Sequence, residues 1–478
     1  MPFDAANLLP ILPEIVVAIT ASLVLMVDLY LKDKRKGVNH ALAVIGLLVA
    51  IGFTGAVGGG AQELFFDGNV VRDAMSDLLK GAVLVISIFA FVYAQPWLKD
   101  RGLMVGEYYA LGLFAVLGML VMIDANSFLT LYLGLELLAL CFYALVAFDR
   151  DSPTGSEAAM KYFVLGALGS GMLLYGISMI YGATGSIEFG VVAQAIAEQG
   201  TKDKVLIFGI AFLVIGIGFK FGAVPFHMWV PDVYEGAPTP VALFLSSAPK
   251  IAAFALAVRL LVDAMGGLQA DWQGMLAILA VLSMGLGNLV AIAQTNIKRM
   301  MAYSAISHVG FIFLGLLAGS SQGYSAAMFY AIVYALTTAG AFGIMIILSR
   351  KGFDVEHLED LRGLNDRDSW YAAMMAIMMF SAAGVPPTVG FMAKLLVLEA
   401  VVRVDMVWLA LVAVFFSIIG AYYYLRVVKL MYFDRPTTDA PILTSGGVRA
   451  VMSVNGLTIL FLGLFPAALL SLCQGAFA

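Results

Sequence analysis

Glu136, Lys220, Lys250, Lys394, His227 and His308 are the residues of this 478-residue chain whose types and placement could do chemistry. All six lie in or beside long apolar runs. A charge at mid-membrane costs about 2.5–3.5 kcal/mol even on lenient insertion scales, so each needs an explanation. Burial disfavours a lysine cation, and a nearby carboxylate restores it. Moving the carboxylate away lets the lysine release its proton, so a glutamate–lysine pair would be a switchable proton store, and Glu136, Lys220, Lys250 and Lys394 could line up from separate helices. His227 and His308 titrate nearest neutrality and suit hand-over steps, although a lone intramembrane histidine also serves as a helix contact. Tyr303, Ser304, Ser307 and Thr388 could hold waters between the titrating groups.

The elements that must position these groups are membrane helices. Apolar runs of the roughly 20 residues needed to cross hydrocarbon fall near 10–31, 39–59, 76–97, 106–124, 126–148, 157–181 and 204–229. Seven more follow near 238–262, 272–294, 300–319, 324–349, 371–401, 406–432 and 448–472. About fourteen spans are expected, the seventh and twelfth irregular. In GFKFGAVPFHMW, Gly222 and Pro225 interrupt the helix after Lys220; in SAAGVPPTVGFMAKLL, Gly384, Pro386, Pro387 and Gly390 interrupt it before Lys394. Proline frees a carbonyl, and bare backbone at that depth is tolerated only inside protein or beside a wet cavity. Spans 4–8 and 9–13 form two five-helix units with the broken helix fourth in each. Odd-numbered units in tandem have opposite orientations, the inverted-repeat arrangement that places ion sites near the midplane. Lys80 and Arg259, close to span ends, read as snorkelling side chains. Glu136 and Lys250 are too central for that.

Composition excludes several classes. The chain is 62% hydrophobic and 12% charged, with mean hydropathy +0.95, which makes the bilayer its expected solvent. A net charge of −5 provides no basic footprint for nucleic acid. Cys141 and Cys473 stand alone, and no metal, iron–sulfur or nucleotide motif occurs. Gly216-Ile217-Gly218 lacks the strand–helix context of a dinucleotide site. The N-terminus carries Asp4 and Glu14 without a basic n-region and reads as a retained first helix. Lysine and arginine crowd the odd-numbered loops, as at Lys32–Lys36, whereas the even-numbered loops hold only Arg72, Lys202, Lys204 and Arg403. By the positive-inside rule the odd loops face the cytoplasm and both termini the periplasm. The 350–370 loop, mixed in charge, reads as a solvated connector.

Three blocks carry a resemblance. KFGAVPFHMWVPDVYEGAPTPVALFLSSAPK (220–250), NIKRMMAYSAISHVGF (296–311) and GVPPTVGFMAKL (384–395) closely resemble signatures of the antiporter-like subunits of respiratory complex I, the NADH-quinone oxidoreductase. The resemblance spans helices 4 to 13. It implies an all-α polytopic fold of 14 helices with two inverted five-helix repeats. The corresponding segments are 1–102 (three N-terminal helices), 103–265 and 266–433 (the repeats), and 434–478 (a last helix). It implies a midplane proton channel with Glu136 paired to Lys220, Lys250 as the connecting lysine and Lys394 in the outlet half. It also implies that NAD, FMN, iron–sulfur clusters and quinone belong to partner subunits, with no cofactor in this chain. The implied partners are a second antiporter-like subunit and a small subunit bearing intramembrane glutamates, in a bacterial inner membrane. A subunit of a cation/proton antiporter or related membrane-bound hydrogenase complex would share nearly every motif. A small-solute transporter would need a roomy polar cavity instead, and a purely structural subunit would use its buried charges only to fix helix register.

Overall fold

The computed structural model describes residues 8–32, 36–57, 62–199, 203–436, 442 and 444–478. Asp4, Lys34, Arg35 and Lys202 lie outside the described residues. The N-terminal segment holds α1 (Leu12–Asp28), α2 (Gly37–Val57) and α3 (Ala74–Arg101), with a small hairpin, β1 (Glu63–Phe65) and β2 (Val70–Arg72), before α3. Next come α4 (Gly106–Ile123), α5 (Phe128–Val146), α6 (Pro153–Thr184), the short α7 (Phe189–Gln199), α8 (Lys204–Phe221), α9 (Trp229–Gly236), α10 (Thr239–Ser246) and α11 (Ala248–Val258). A π-helical turn, Arg259–Ala264, leads to α12 (Gln269–Ile292), α13 (Ile297–Leu317), α14 (Ser321–Leu348) and a single turn, α15 (Leu364–Arg367). The chain ends with α16 (Ser369–Ala383), α17 (Val389–Arg403), α18 (Val407–Phe433), α19 (Gly446–Leu464) and α20 (Ala467–Gly475).

Among the described residues, 12 helical stretches are long and apolar enough to cross a membrane, one of them Thr239–Ala264, which comprises α10, α11 and the π-helical turn. Two expected spans fall short of that length: α1, with 17 residues, and the expected 371–401 span, which is divided into α16 and α17. The apolar window of α14 is 100% buried, whereas that of α2 is 33% buried. The first is therefore a central helix and the second a peripheral one facing lipid or a partner. Since lipid supplies no hydrophobic drive between helices, close approach does the packing. At the α4–α5 contact, a Cβ on Gly118 would lie 2.7 Å from the Gly134 carbonyl.

The two expected breaks are present and alike. Gly222 ends α8 with φ +72° and Gly384 ends α16 with φ +85°, both left-handed positions that disfavour a Cβ. Each closes with a Schellman-type bond: Ala223 N donates to Gly218 O at 2.7 Å, and Val385 N to Phe380 O at 2.9 Å.

Four expectations need correction. The 238–262 span is not one helix: Ser247 (φ −111°, ψ −87°) separates α10 from α11. Pro249 lacks the N–H that would bond Leu245 O and continue the α10 ladder, and Ser247 Oγ turns back to donate to Leu243 O at 2.7 Å. Lys250 consequently sits in the first turn of a new helix, not at mid-helix. Lys80 does not snorkel; it is 1% exposed and ion-paired to Glu14 and Asp124. Arg259 is 2% exposed and clamped by Asp73 at 2.8 Å and Asp263 at 3.0 Å. Both cations find carboxylates on segments distant in sequence, so neither needs the interface. The 350–370 loop is more than a solvated connector: Val355, Leu358 and Leu361 are buried, and Asp354 accepts from Trp97 at 2.8 Å and Arg101 at 2.7 Å.

Candidate functional site

The helix breaks supply the oxygen atoms that hold the lysines. At the first break, Lys250 Nζ donates to Phe221 O, freed at the end of α8, at 2.7 Å. Lys220, in the last turn of α8, donates to Ser170 Oγ on α6 at 2.9 Å. At the second break, Lys394 Nζ donates to Ala383 O, at the end of α16, at 2.9 Å and to Ser417 Oγ on α18 at 2.8 Å. Among the described residues none of these three ammonium groups forms an ion pair; hydroxyls and carbonyls hold all of them. Aromatic faces add to this: Lys394 lies 5.1 Å from the Phe311 ring centroid and Lys250 5.7 Å from that of Trp229.

Two internal cavities collect most of the candidate residues. One, of about 40 Å³, is lined by Lys220 and Lys250 together with Tyr162, Trp229, Pro249 and Leu135. The other, of about 20 Å³, is lined by Lys394 and His308 together with Ser304, Tyr330, Thr337 and Ser381. One water needs roughly 10–15 Å³ of such volume and two to four polar partners, so each cavity has room for at least one.

His308 sits between two tyrosines. Its Nδ1 is 2.6 Å from Tyr330 Oη and its Nε2 is 3.0 Å from Tyr424 Oη. Tyr424 continues to Ser304 Oγ through a short hydroxyl–hydroxyl contact. Each hydroxyl can donate or accept, so the row Ser304–Tyr424–His308–Tyr330 can carry a proton in either direction by reorienting. Tyr330 and Tyr424 were not singled out in the sequence, because each lies in an apolar helical run where a tyrosine reads as packing. Ser170 and Ser417 escaped notice for the same reason.

Four sequence candidates stand apart from these contacts. Glu136 does not touch Lys220; it is half-buried, with Oε1 lacking any hydrogen-bond partner. Its neighbours Leu135, Leu138 and Ala139 line the lysine cavity, while Leu133 and Leu140, at 60% and 56% exposure, face outward. Glu136 thus lies between the inner and outer faces of α5. His227 lies in the first break, half-buried, with Nδ1 unpartnered, on neither cavity wall. Thr388 Oγ is spent on Val385 O at 2.6 Å, a local turn bond. Ser307 accepts from Asn288 at 2.8 Å.

Known proteins resemble this chain over nearly its whole length. The family described as NADH:quinone oxidoreductase/Mrp antiporter, TM, matches residues 125–420, the part that holds Lys220, Lys250, Lys394, His227 and His308. NADH-quinone oxidoreductase subunit N of Thioalkalivibrio sulfidiphilus is 54% identical over 477 residues, covering 100% of this chain and 99% of that protein. The same subunit of Alkalilimnicola ehrlichii is 53% identical over 467 residues, covering 98% of this chain and 96% of that protein. A chain of respiratory complex I from Thermus thermophilus with bound Aureothin superposes with TM-score 0.82 at 31% identity, covering 96% of this chain and 99% of that one. A chain of the Mrp complex from Dietzia sp. shares the fold alone, with TM-score 0.84 at 20% identity over 100% of this chain and 97% of that one. With relatives matched end to end at more than half identity, the chain belongs to the NADH-quinone oxidoreductase subunit N family.

Proposed function

We propose that this chain is a non-redox, proton-translocating membrane subunit of NADH-quinone oxidoreductase, working in a bacterial inner membrane with both termini periplasmic. Protons pass along a line of Lys220, Lys250, His308 and Lys394, with water in the two cavities. The observation that carries the reading is common to both halves. A broken helix presents a freed carbonyl to a buried lysine that has only neutral partners, beside a cavity with room for water. Burial disfavours each charged ammonium, and no carboxylate in direct contact with it offsets that cost.

Glu136 acts on this line by charge rather than by contact, and its place at the edge of α5 leaves it open to a neighbouring membrane subunit. A second antiporter-like subunit and a small subunit with intramembrane glutamates are the expected neighbours. NAD, FMN, iron–sulfur clusters and quinone are assigned to partner chains. Two matched features support the inverted-repeat reading, in which the fourteen expected helices include α1 and the α16/α17 pair. Both breaks close in the same way. The isolated bridges Ser127–Glu188 and Asn296–His357 are separated by the same displacement along the chain in both members.

Lys394→Met in the assembled complex tests the reading. It keeps the stem and removes the titrating amine. Proton translocation in proteoliposomes should fall at least about tenfold, about 1.4 kcal/mol of barrier, while NADH oxidation by an artificial acceptor is unaffected. Unchanged pumping would overturn the proposal.

A further inference from the structure

We propose that Glu14, Lys80 and Asp124 form a separate protonation site in which two carboxylates share one ammonium and together hold one exchangeable proton. The three side chains come from the first turn of α1, the second turn of α3 and the end of α4. Lys80 Nζ lies 3.0 Å from Glu14 Oε1 and also contacts Asp124 Oδ2. All three are more than nine-tenths buried, at 6%, 1% and 3% exposure. Glu14 Oε2 and Asp124 Oδ1 have no hydrogen-bond partner. Each carboxylate therefore keeps a bare oxygen inside the protein, where an unsatisfied charged acceptor is most costly.

The charge balance decides what binds there. Fully ionised, the triad carries one net negative charge, and an uncompensated buried charge costs several kcal/mol. Two carboxylates touching the same nitrogen are also close to each other, and like charges at that range drive one of them to take a proton. The surrounding cations are committed elsewhere. Arg259 approaches along the backbone, its Nε donating to Ile123 O at 3.2 Å, but its guanidinium is held by Asp73 and Asp263. Arg72 pairs with Asp77 at 3.2 Å. Helix ends then bias the pair. Glu14 lies at the N-terminal end of α1, where a negative charge is favoured, and Asp124 caps the carbonyl end of α4, where it is disfavoured. The proton is thus placed on Asp124.

None of the three residues lines either lysine cavity, so this site stands independently of the translocation line. It ties the N-terminal segment to α4 in a protonation-dependent way. With one proton bound the triad is neutral; as pH rises and the proton leaves, a net negative charge remains between α1 and α4.

Infrared difference spectroscopy of the assembled complex, reading the C=O stretch of protonated carboxylic acids near neutral pH, tests this. Glu14→Gln and Asp124→Asn each leave one carboxylate facing one ammonium, a neutral pair that needs no proton. Each variant should therefore lose one carboxylic-acid band relative to the unmodified complex. Lys80→Met removes the cation and should add one such band, since both acids then bind protons. If one variant fails to assemble, the remaining ones carry the same test with their own sign. A carboxylic-acid region unchanged in the variants that assemble would overturn the proposal, because a fully ionised structural ion triad has no such band to lose.

Discussion

Replacing Lys220 with arginine separates proton release from charge. Arginine keeps a cation and a donor for Ser170, which now accepts from Lys220 Nζ at 2.9 Å. The adjoining cavity of about 40 Å³ gives the larger guanidinium some room, so the complex is expected to assemble. What changes is the neutral form. The unperturbed lysine and arginine pKa values differ by about 2–3 units, and burial acts on both, so neutral arginine is about 100–1,000-fold rarer. A step that passes through the neutral side chain should slow by that factor, equivalent to about 3–4 kcal/mol of barrier. The assay is NADH-driven quinone reduction with proton uptake in proteoliposomes, after native gels have established assembly. Coupled pumping should fall below about a tenth of the unmodified rate, leaving any leak around the site as the floor. Normal rates and stoichiometry in assembled Lys220→Arg enzyme would refute the reasoning, because a structural cation would survive the exchange.

The tyrosine row makes a second prediction. Tyr424→Phe removes the hydroxyl shared by His308 Nε2 and Ser304. Each orphaned buried group costs about 1–3 kcal/mol of stability, and pumping should fall while artificial-acceptor NADH oxidation persists; undiminished pumping would remove His308 from the route. The helix break makes a third. Gly222→Ala places a side chain at φ +72° with its Cβ inside contact range of Val230 Cγ2, so beyond the roughly 1–2 kcal/mol of left-handed strain it should reduce the amount of assembled complex on native gels. Gly171→Ala on α6, where nothing lies within 4 Å of the added atom, is the control and should assemble normally.

What could be read from the chain alone was whatever depends on local chemistry. Long apolar runs specify spans, because a helix is the one open segment that satisfies its own backbone in lipid. Gly222 with Pro225, and Gly384 with the Pro386-Pro387 pair, specify breaks, because left-handed turns and missing N–H groups act within a few residues. The break at Ser247 was legible in the same terms, since Pro249 is its cause, but the apolar run around it masked the signal.

Partner choice was decided only by tertiary structure. Lys80 and Arg259 looked like snorkelling residues by their distance from span ends, yet both are buried because carboxylates from other segments, Glu14 and Asp124 for Lys80 and Asp73 for Arg259, reach them. Glu136 and Lys220 looked like a pair, yet α5 is turned so that the leucines beside Glu136 line the cavity instead. Ser170, Ser417, Tyr330 and Tyr424 hold the titrating groups without any mark in their own neighbourhoods. The physical reason is common to all of these. In water, an amphipathic stripe tells which face of a helix turns inward. In a bilayer both faces are apolar, so α2 and α14 read alike although the apolar window of one is 33% buried and that of the other 100%. Rotation about each helix axis, and with it every side-chain contact, is set by packing against helices far away in sequence.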